Sequence, residues 1–248
     1  MRLSRSIISS LILTTMAFAQ SPSTQPAAAP TTSPADVADV KAAIAAYNAA
    51  VESGDIKTLS SSIAVTTPVQ KQAIDLMGTL TKASRGLYQA AVDTYGKDSL
   101  AKNNVAKEAF PSGCPSIPAE AQDIKVTGDK ATVSVGTPDG PPPLAMVKKD
   151  GAWKIDGDAL LPPMTDKQMT EQRTVIDAAI AAIDDTATDV KAGHFKGPDE
   201  ALAIMNFRVQ KAVRQAQMKL MPLEALPDDA WVGEVGGIGA PVVGVEKI

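Results

Sequence analysis

Residues 124–135, IKVTGDKATVSV, and residues 144–155, LAMVKKDGAWKI, decide the fold. In each stretch, apolar and polar side chains alternate on both sides of a two-residue turn that contains one Gly and one Asp. Alternation with a period of two around such a turn is typical of a β-hairpin. We therefore predict two successive hairpins, which together form a sheet of four antiparallel strands.

The register of the two hairpins follows from their turns. Counting outward from each turn keeps one face of the hairpin apolar, as a half-buried sheet requires. The predicted cross-strand pairs are Ile124 with Val133, Val126 with Ala131, Met146 with Ile155, and the stem of Lys148 with Trp153.

Three helices are predicted before the hairpins, and they would cover the apolar face of the sheet. Ser33 is suited to be the N-cap of the first helix, with Asp36 as the acidic partner in a capping box. Asp55 is suited to cap a short second helix, and Thr67 a third that runs to Gly96. No strand is evident between the second and third helices. Residues 97–121 are predicted to form a proline-rich loop.

Helical periodicity returns after the second hairpin. One helix is predicted from Thr165 to Gly193 and another from Gly197 to Pro222, which indicates a helical hairpin. Whether this hairpin packs on the sheet or stands apart is left open by the sequence. The fold class is thus α+β. The predicted organisation is a leader at 1–19, a tether at 20–34, an α+β core at 35–163, a helical hairpin at 164–221 and an irregular tail at 222–248.

The N-terminus predicts export from the cytoplasm. Arg2 and Arg5 precede an apolar stretch, and Ala17-Phe18-Ala19 is the small-x-small pattern that a signal peptidase cleaves. The alternative, an uncleaved anchor, is disfavoured because the apolar stretch is shorter than the roughly 20 residues of a membrane span. The tether that follows is rich in Ser, Pro, Thr and Ala and is predicted to be disordered. The sequence therefore predicts a periplasmic or extracellular protein without a transmembrane span.

Composition excludes several classes of protein. The chain has 248 residues, 24 basic and 28 acidic side chains and a formal net charge of −4, which disfavours nucleic-acid binding. A single cysteine excludes a disulfide scaffold, and a single histidine excludes a metal site that needs two imidazoles. We predict neither a metal nor a cofactor.

The order of these elements resembles the nuclear transport factor 2-like superfamily, whose cone-shaped domains are also described as cystatin-like. The resemblance covers about residues 35–161. It rests on the helix that ends in Ser53-Gly54-Asp55 and on the hairpin Val147-Lys148-Lys149-Asp150-Gly151-Ala152-Trp153-Lys154-Ile155. The absent strand, the long third helix and the added helical hairpin depart from the family pattern. The resemblance implies a curved sheet around a pocket, used for binding in most members and for catalysis in a minority. The Asp/His or Asp/Tyr pair of the enzymes has no match in this sequence.

Few residues are candidates for chemistry. His194 follows the end of a predicted helix, where a cation is favoured by the helix dipole. Asp156 and Asp158 flank a glycine and could ligate a hard cation, but a solvated turn is the favoured interpretation. Cys114 could remain a free thiol, form an intermolecular disulfide, or be a small buried residue. Tyr47, Tyr88 and Trp153 are the candidate lining of a ligand pocket, although they could simply fill the core.

One charge pattern stands out against the acidic balance. Between residues 201 and 221 the chain has four basic side chains, Arg208, Lys211, Arg214 and Lys219, and no acidic one. An anionic membrane or an acidic partner could be attracted to them. A solvated helix face is the favoured interpretation, because basic residues near a helix C-terminus are stabilised by the dipole.

The sequence therefore predicts a non-enzymatic domain of the cell envelope that binds a small molecule or peptide. The alternative is a structural or interaction module that binds an envelope protein or dimerises through its sheet or helical hairpin, because its helical stripes offer apolar area to spare. A third hypothesis is an enzyme that uses a lone Asp or Tyr in a pocket as acid or base.

Overall fold

The computed structural model describes residues 33–118, 122–135 and 143–221 of the chain. The predicted leader, residues 20–32 of the tether and the predicted tail lie outside these residues. The described chain has the α+β class predicted from the sequence. Its helices are α1 (Pro34–Ser53), α2 (Ile56–Ser61), α3 (Pro68–Tyr95), α4 (Lys97–Lys102), α5 (Gly157–Leu160), α6 (Asp166–Lys191) and α7 (Pro198–Leu220), with a 3-10 turn at Lys107–Ala109. Its strands are β1 (Ile63–Ala64), β2 (Gln122–Thr127), β3 (Lys130–Val135), β4 (Leu144–Lys149) and β5 (Ala152–Asp156).

The sheet has five strands in the order β1-β5-β4-β3-β2. The predicted registers of both hairpins are confirmed, including the pairs Val126–Ala131 and Met146–Ile155. The prediction of a purely antiparallel sheet of four strands was wrong, because β1 adds a parallel fifth strand beside β5. The sheet is therefore mixed, with β1 at one edge and β2 at the other.

Strand β1 was missed because nothing local marks it. It has only two residues, too few to show alternation, and its partner β5 lies far along the chain. The backbone amide of Ile155 donates to the Ser62 carbonyl at 2.9 Å and extends the pairing by one bond. Gly157 follows β5 directly, and a Cβ atom there would lie 2.4 Å from the Ala64 carbonyl oxygen. Only glycine lets α5 begin this close to β1.

The prediction of a loop over residues 97–121 was also wrong in part. The short helix α4 and the 3-10 turn lie within it. Leu100 is the one buried residue of α4, so the sequence of this helix shows no apolar periodicity that would predict it.

Capping residues set the starts of the long helices. The Thr67 hydroxyl accepts from the Gln70 amide at 3.1 Å, and the Gln70 side chain accepts from the Thr67 amide in return. This capping box begins α3, and a second one of the same kind begins α6 at Thr165. Ser33 is the N-cap of α1 as predicted, and its hydroxyl accepts from the Ala35 amide. Asp36 differs from the prediction of a capping box, because its carboxylate lies 3.2 Å from Lys148 Nζ. Asp36 therefore ties α1 to the sheet.

Three apolar clusters lie in succession across the molecule. The sheet cluster joins α1 to the inner face of the sheet, and its best buried members include Val40, Val126, Val133 and Met146. The central cluster joins α1, α2 and the N-terminal half of α3 to Ile155. The helical cluster joins the C-terminal half of α3 to α6 and α7. The helical hairpin therefore packs on α3, which settles the placement that the sequence left open.

Helix α3 links the last two clusters. It has 28 residues, about 42 Å at 1.5 Å per residue, and it runs unbroken past Gly78 and Gly86. Ile74 and Met77 belong to the central cluster, while Leu80 and Leu87 belong to the helical cluster. The two halves of one amphipathic stripe thus serve two different cores.

Candidate binding cleft

A cleft of about 550 Å³ opens between α3, α6 and α7. Its floor on the α3 side is formed by Leu76, Met77 and Leu80. These residues are at most 9% exposed, so most of their surface is already covered by the core and one side of each faces the cleft. The cleft therefore lies at the junction of the central and helical clusters.

The two helices of the hairpin form the walls. Ile176 and Ile183 contribute from α6, and Val209 and Val213 from α7. On each helix the lining residues recur at spacings of three and four, so a single stripe of each helix faces the cleft. The lining of α6 extends from Glu171 to Ile183, which gives an elongated cleft about 18 Å long at the rise of an α-helix.

Polar side chains also line the walls of the cleft. Gln172 contributes from α6, and Gln210 and Gln217 contribute from α7. An amide side chain can both donate and accept hydrogen bonds. Two ionisable residues, Glu171 and Arg214, also belong to the lining, and Glu171 lies 3.8 Å from Lys167. The arrangement can bury an apolar body and bind a few polar groups at its edge.

The proline-rich loop at 111–118 closes one side of this region. Pro111 lines the cleft. Asn48 of α1 holds the far end of the loop with two hydrogen bonds to Ile117, one from its amide group at 2.7 Å and one to its side-chain oxygen at 2.8 Å. The Tyr47 hydroxyl donates to the Pro115 carbonyl at 3.0 Å. The loop is thus held to α1 by side-chain hydrogen bonds.

The same loop contacts α3 directly behind the cleft floor. The Thr81 hydroxyl donates to the Met77 carbonyl at 2.9 Å and accepts from the Cys114 amide at 3.1 Å. A Cβ atom on Gly113 would lie 2.3 Å from the Met77 carbonyl oxygen. Because Met77 also lines the cleft, this contact supports the cleft floor from its other side.

Cys114 is a free thiol buried in the central cluster. Burial raises the pKa of the thiol to about 11, although a hydrogen bond with Thr81 acts in the opposite direction. The thiol is therefore protonated at neutral pH, and the thiol form is a weaker nucleophile than the thiolate. A disulfide to a second chain would require the loop to leave α3.

The three aromatic residues proposed as a pocket lining lie in different parts of the core. Tyr47 belongs to the central cluster, and Trp153 to the sheet cluster. Tyr88 packs on the helical cluster, with its ring edge-on to Phe110 at a centroid distance of 5.5 Å. The structure does not bring the three together, and the lining of the cleft includes none of them.

Burial also governs the chemistry of Tyr47. Desolvation raises the pKa of its hydroxyl far above the ordinary value, and the nearby Cys114 raises it further. Its hydroxyl remains protonated and donates to the Pro115 carbonyl, which is a structural role.

The other candidate residues also have structural roles. His194 Nδ1 lies 3.0 Å from a carboxylate oxygen of Asp189, just beyond the end of α6. Asp156 caps α5, and Asp158 accepts from Gln70 Nε2 at 2.6 Å and from the Thr66 hydroxyl at 2.8 Å. Within residues 33–118, 122–135 and 143–221, no three His, Cys, Asp or Glu side chains are grouped to hold a metal ion.

The four basic residues of α7 differ in their surroundings. Arg208 pairs with Asp189 at 2.7 Å and lies over the ring of Phe195. Arg214 lines the cleft, whereas Lys211 and Lys219 lie away from it. None of the helices in the described part of the chain is long and apolar enough to cross a membrane.

The cleft was missed because its residues resemble ordinary core. Met77, Ile176, Ile183, Val209 and Val213 belong to apolar stripes that the sequence already predicts. Nothing in a single stripe tells whether its neighbours cover it completely. The signal that the sequence offers is the excess of apolar area on the helices, from which a dimer is predicted above.

Comparison with known proteins gives no match: no protein-family model fits this chain, and no curated protein or solved structure is similar to it.

Proposed function

We propose that this protein is a non-enzymatic binding domain of the cell envelope, and that it holds a small apolar or amphipathic molecule in the cleft between α3, α6 and α7. One observation carries the proposal: an elongated cleft of about 550 Å³ with an apolar lining and polar side chains along its walls. Ligand sites in proteins have volumes of roughly 300–1,000 Å³ and the same distribution of apolar and polar groups.

The chemistry of the lining supports binding over catalysis. Among the described lining residues, Glu171 and Arg214 are the two with ionisable side chains, and they come from different helices. Acid-base catalysis needs a titratable group within hydrogen-bond reach of the reacting atom, in a site that excludes water. Glu171 instead lies beside Lys167, whose side chain is 87% exposed.

The resemblance to nuclear transport factor 2-like domains also supports a binding role, but it would place the ligand against the sheet. The two locations can be separated by mutation. Trp153→Phe alters a residue on the sheet side, and Val175→Phe fills the helical cleft. Loss of binding through Val175→Phe alone supports the helical site.

A titration with an apolar fluorescent probe, N-phenyl-1-naphthylamine, tests the cleft. Val175 is partly buried and lines the cleft, so Val175→Phe should weaken saturable probe binding by about tenfold or more. Val37→Phe makes the same change at a partly buried valine of α1 that packs on the sheet cluster, and it should leave the affinity unchanged.

Two results would contradict the cleft proposal. The first is probe binding that does not saturate in the wild-type protein. The second is an equal loss in both valine variants, which would indicate a general effect on stability. Native mass spectrometry of protein purified from the envelope gives an independent check, because a bound molecule adds a mass that disappears on unfolding.

The cellular location rests on the N-terminal sequence and is tested separately. N-terminal sequencing of the mature protein should begin at Gln20, and the protein should fractionate with the envelope or the medium. A mature protein that retains Met1 would contradict export by a cleaved signal peptide.

A further inference from the structure

Large apolar side chains are exposed on one helix. Among the described residues, Phe207, Leu220 and Met221 are the large hydrophobic residues with substantial exposure, at 62%, 38% and 41%. All three lie on α7 or directly after its last residue. Phe207 is the most exposed of the three, and Leu220 also belongs to the lining of the cleft.

Phe207 belongs to a stripe that also contains cations. Lys211, Arg214 and Met218 follow it at spacings of four, three and four residues, which places all four side chains on one face of α7. We call these four residues the α7 stripe. Lys211 and Arg214 are exposed, and Met218 is half-buried. Met221 follows directly after the last residue of the helix.

The charge of this helix segment is opposite to that of the whole chain. The formal net charge of the chain is −4, whereas residues 201–221 contain four cations and no carboxylate side chain. Arg208 is next to Phe207 in sequence and therefore lies outside the stripe, about 100° further around the helix, where it pairs with Asp189. The stripe thus combines two cations with exposed apolar groups, and the complementary partner is anionic with an apolar layer beneath its charges.

We propose that the α7 stripe docks this protein on an anionic lipid surface. The side chains of Phe207 and Met218 would enter the boundary between headgroups and acyl chains, while Lys211 and Arg214 reach the lipid phosphates. The stripe consists of consecutive turns of one helix, so its apolar side chains project from a convex surface. A bilayer accepts any such side chain, whereas a protein partner would need a pocket shaped for Phe207.

The α7 stripe and the cleft are adjacent. Arg214 belongs both to the α7 stripe and to the lining of the cleft. Docking would therefore bring the cleft beside the membrane surface. The docking proposal does not depend on the cleft proposal, because the stripe and its test use no ligand.

Co-sedimentation of the full chain with vesicles tests the docking. Vesicles of phosphatidylglycerol mixed with phosphatidylcholine should bind the protein, and pure phosphatidylcholine vesicles should bind it more weakly. Phe207→Ser and the double variant Lys211→Gln/Arg214→Gln should each lower the partition coefficient by roughly tenfold. Phe207→Trp should retain binding, because Trp favours the membrane interface.

The controls separate the stripe from general effects of charge and folding. Lys41→Gln/Lys97→Gln makes the same change in net charge at exposed lysines of α1 and α4, and it should bind vesicles as the wild type does. All variants should have the melting temperature of the wild type.

Several outcomes would overturn the proposal. One is that the protein does not bind vesicles at low salt. Another is that the Lys41→Gln/Lys97→Gln control loses as much binding as Lys211→Gln/Arg214→Gln does. Binding to poly-glutamate in preference to vesicles would indicate an acidic protein partner instead. Sedimentation velocity without vesicles that shows self-association, abolished by Phe207→Ser, would assign the stripe to a dimer interface.

Discussion

Gly113 shows how little space separates the proline-rich loop from α3. Its missing side chain allows the loop backbone to contact the backbone of Met77, and a Cβ atom would also lie 2.8 Å from Met77 Cα. Both atoms belong to the backbone of α3, so neither can move aside as the end of a flexible side chain would.

We expect Gly113→Ala to lower the free energy of unfolding by about 2 kcal/mol or more, because the loop must move away from α3. Urea unfolding followed by circular dichroism measures the change. Gly86→Ala is the matched control: Gly86 is exposed in α3 with nothing within 4 Å of its Cβ position. That variant should gain about 0.5–1 kcal/mol through helix propensity. Equal effects at the two sites would contradict the close contact.

Asp158 illustrates a carboxylate with a structural role. Hydrogen bonds from Gln70 and Thr66 hold the pKa of this carboxyl below its ordinary value of 3.8. Gln70 is only 8% exposed, and its amide also completes the capping box of α3. The carboxylate therefore links α5 to the start of α3.

Because the pKa of Asp158 is lower in the folded state, its contribution to stability is present above the ordinary carboxyl pKa and is lost as the pH falls through the folded value. Asp158→Ala should thus destabilise the protein at neutral pH, and the stabilities of variant and wild type should converge on acidification. Denaturant unfolding over a range of pH measures this. A difference that stays constant down to the most acidic pH would show that the carboxylate charge is not involved. Asp39→Ala, at an exposed aspartate of α1, should have little effect at neutral pH.

At the scale of elements, local signals were sufficient for the hairpins and for most of the helix caps. The turn residues and the alternation around them lie within a dozen residues, so the pairing of Lys148 with Trp153 could be counted directly; the structure places Lys148 Nζ 5.6 Å from the Trp153 ring centroid. The capping box at Thr67 is likewise a four-residue pattern. Predictions of this kind depend on neighbours in sequence.

Features that depend on distant parts of the chain were missed. Strand β1 exists because β5 lies beside it, and the cleft exists because three stripes meet without filling the space between them. The positions of Tyr47, Tyr88 and Trp153 on inner faces were predictable, but which of three clusters each would join was not. Tertiary placement cannot be obtained from the period of a single element.

The helical hairpin is coupled to the rest of the fold through α3. Met205 of α7 is completely buried in the helical cluster. Met205→Ala should therefore cost about 2–5 kcal/mol, and it should shift the unfolding of the sheet as well as that of the helices. Helix unfolding is followed by circular dichroism and sheet unfolding by Trp153 fluorescence, in a Trp231→Phe background.

Coincident shifts of the two signals would support a single cooperative unit. If Met205→Ala moves the circular dichroism transition alone, the hairpin unfolds independently of the sheet. Met218→Ala, at a half-buried methionine of the same helix, should change the free energy of unfolding by less than about 1 kcal/mol.

For the whole molecule, the negative net charge of the chain and the cations of the α7 stripe favour different partners. Duplex DNA has a negative charge like an anionic vesicle, but it has no apolar layer for Phe207 and Met218 to enter. With a formal net charge of −4 and only two cations on the α7 stripe, the protein should not bind DNA.

A filter-binding assay with duplex DNA at low salt checks this expectation. Saturable retention of DNA that is lost in Lys211→Gln/Arg214→Gln would contradict it. Vesicle binding without DNA binding would show that binding needs the apolar side chains in addition to the charges.

The length of α3 has a consequence for how this chain can change over evolution. Successive side chains of an α-helix are rotated by about 100° about the helix axis. One residue inserted near the middle of α3 would rotate Leu87 and Ala91 away from α6 and α7 while Ile74 stayed in the central cluster. Insertions and deletions should therefore be excluded from α3 in any related sequence, because the phase between its two halves sets how the sheet and the helical hairpin face each other.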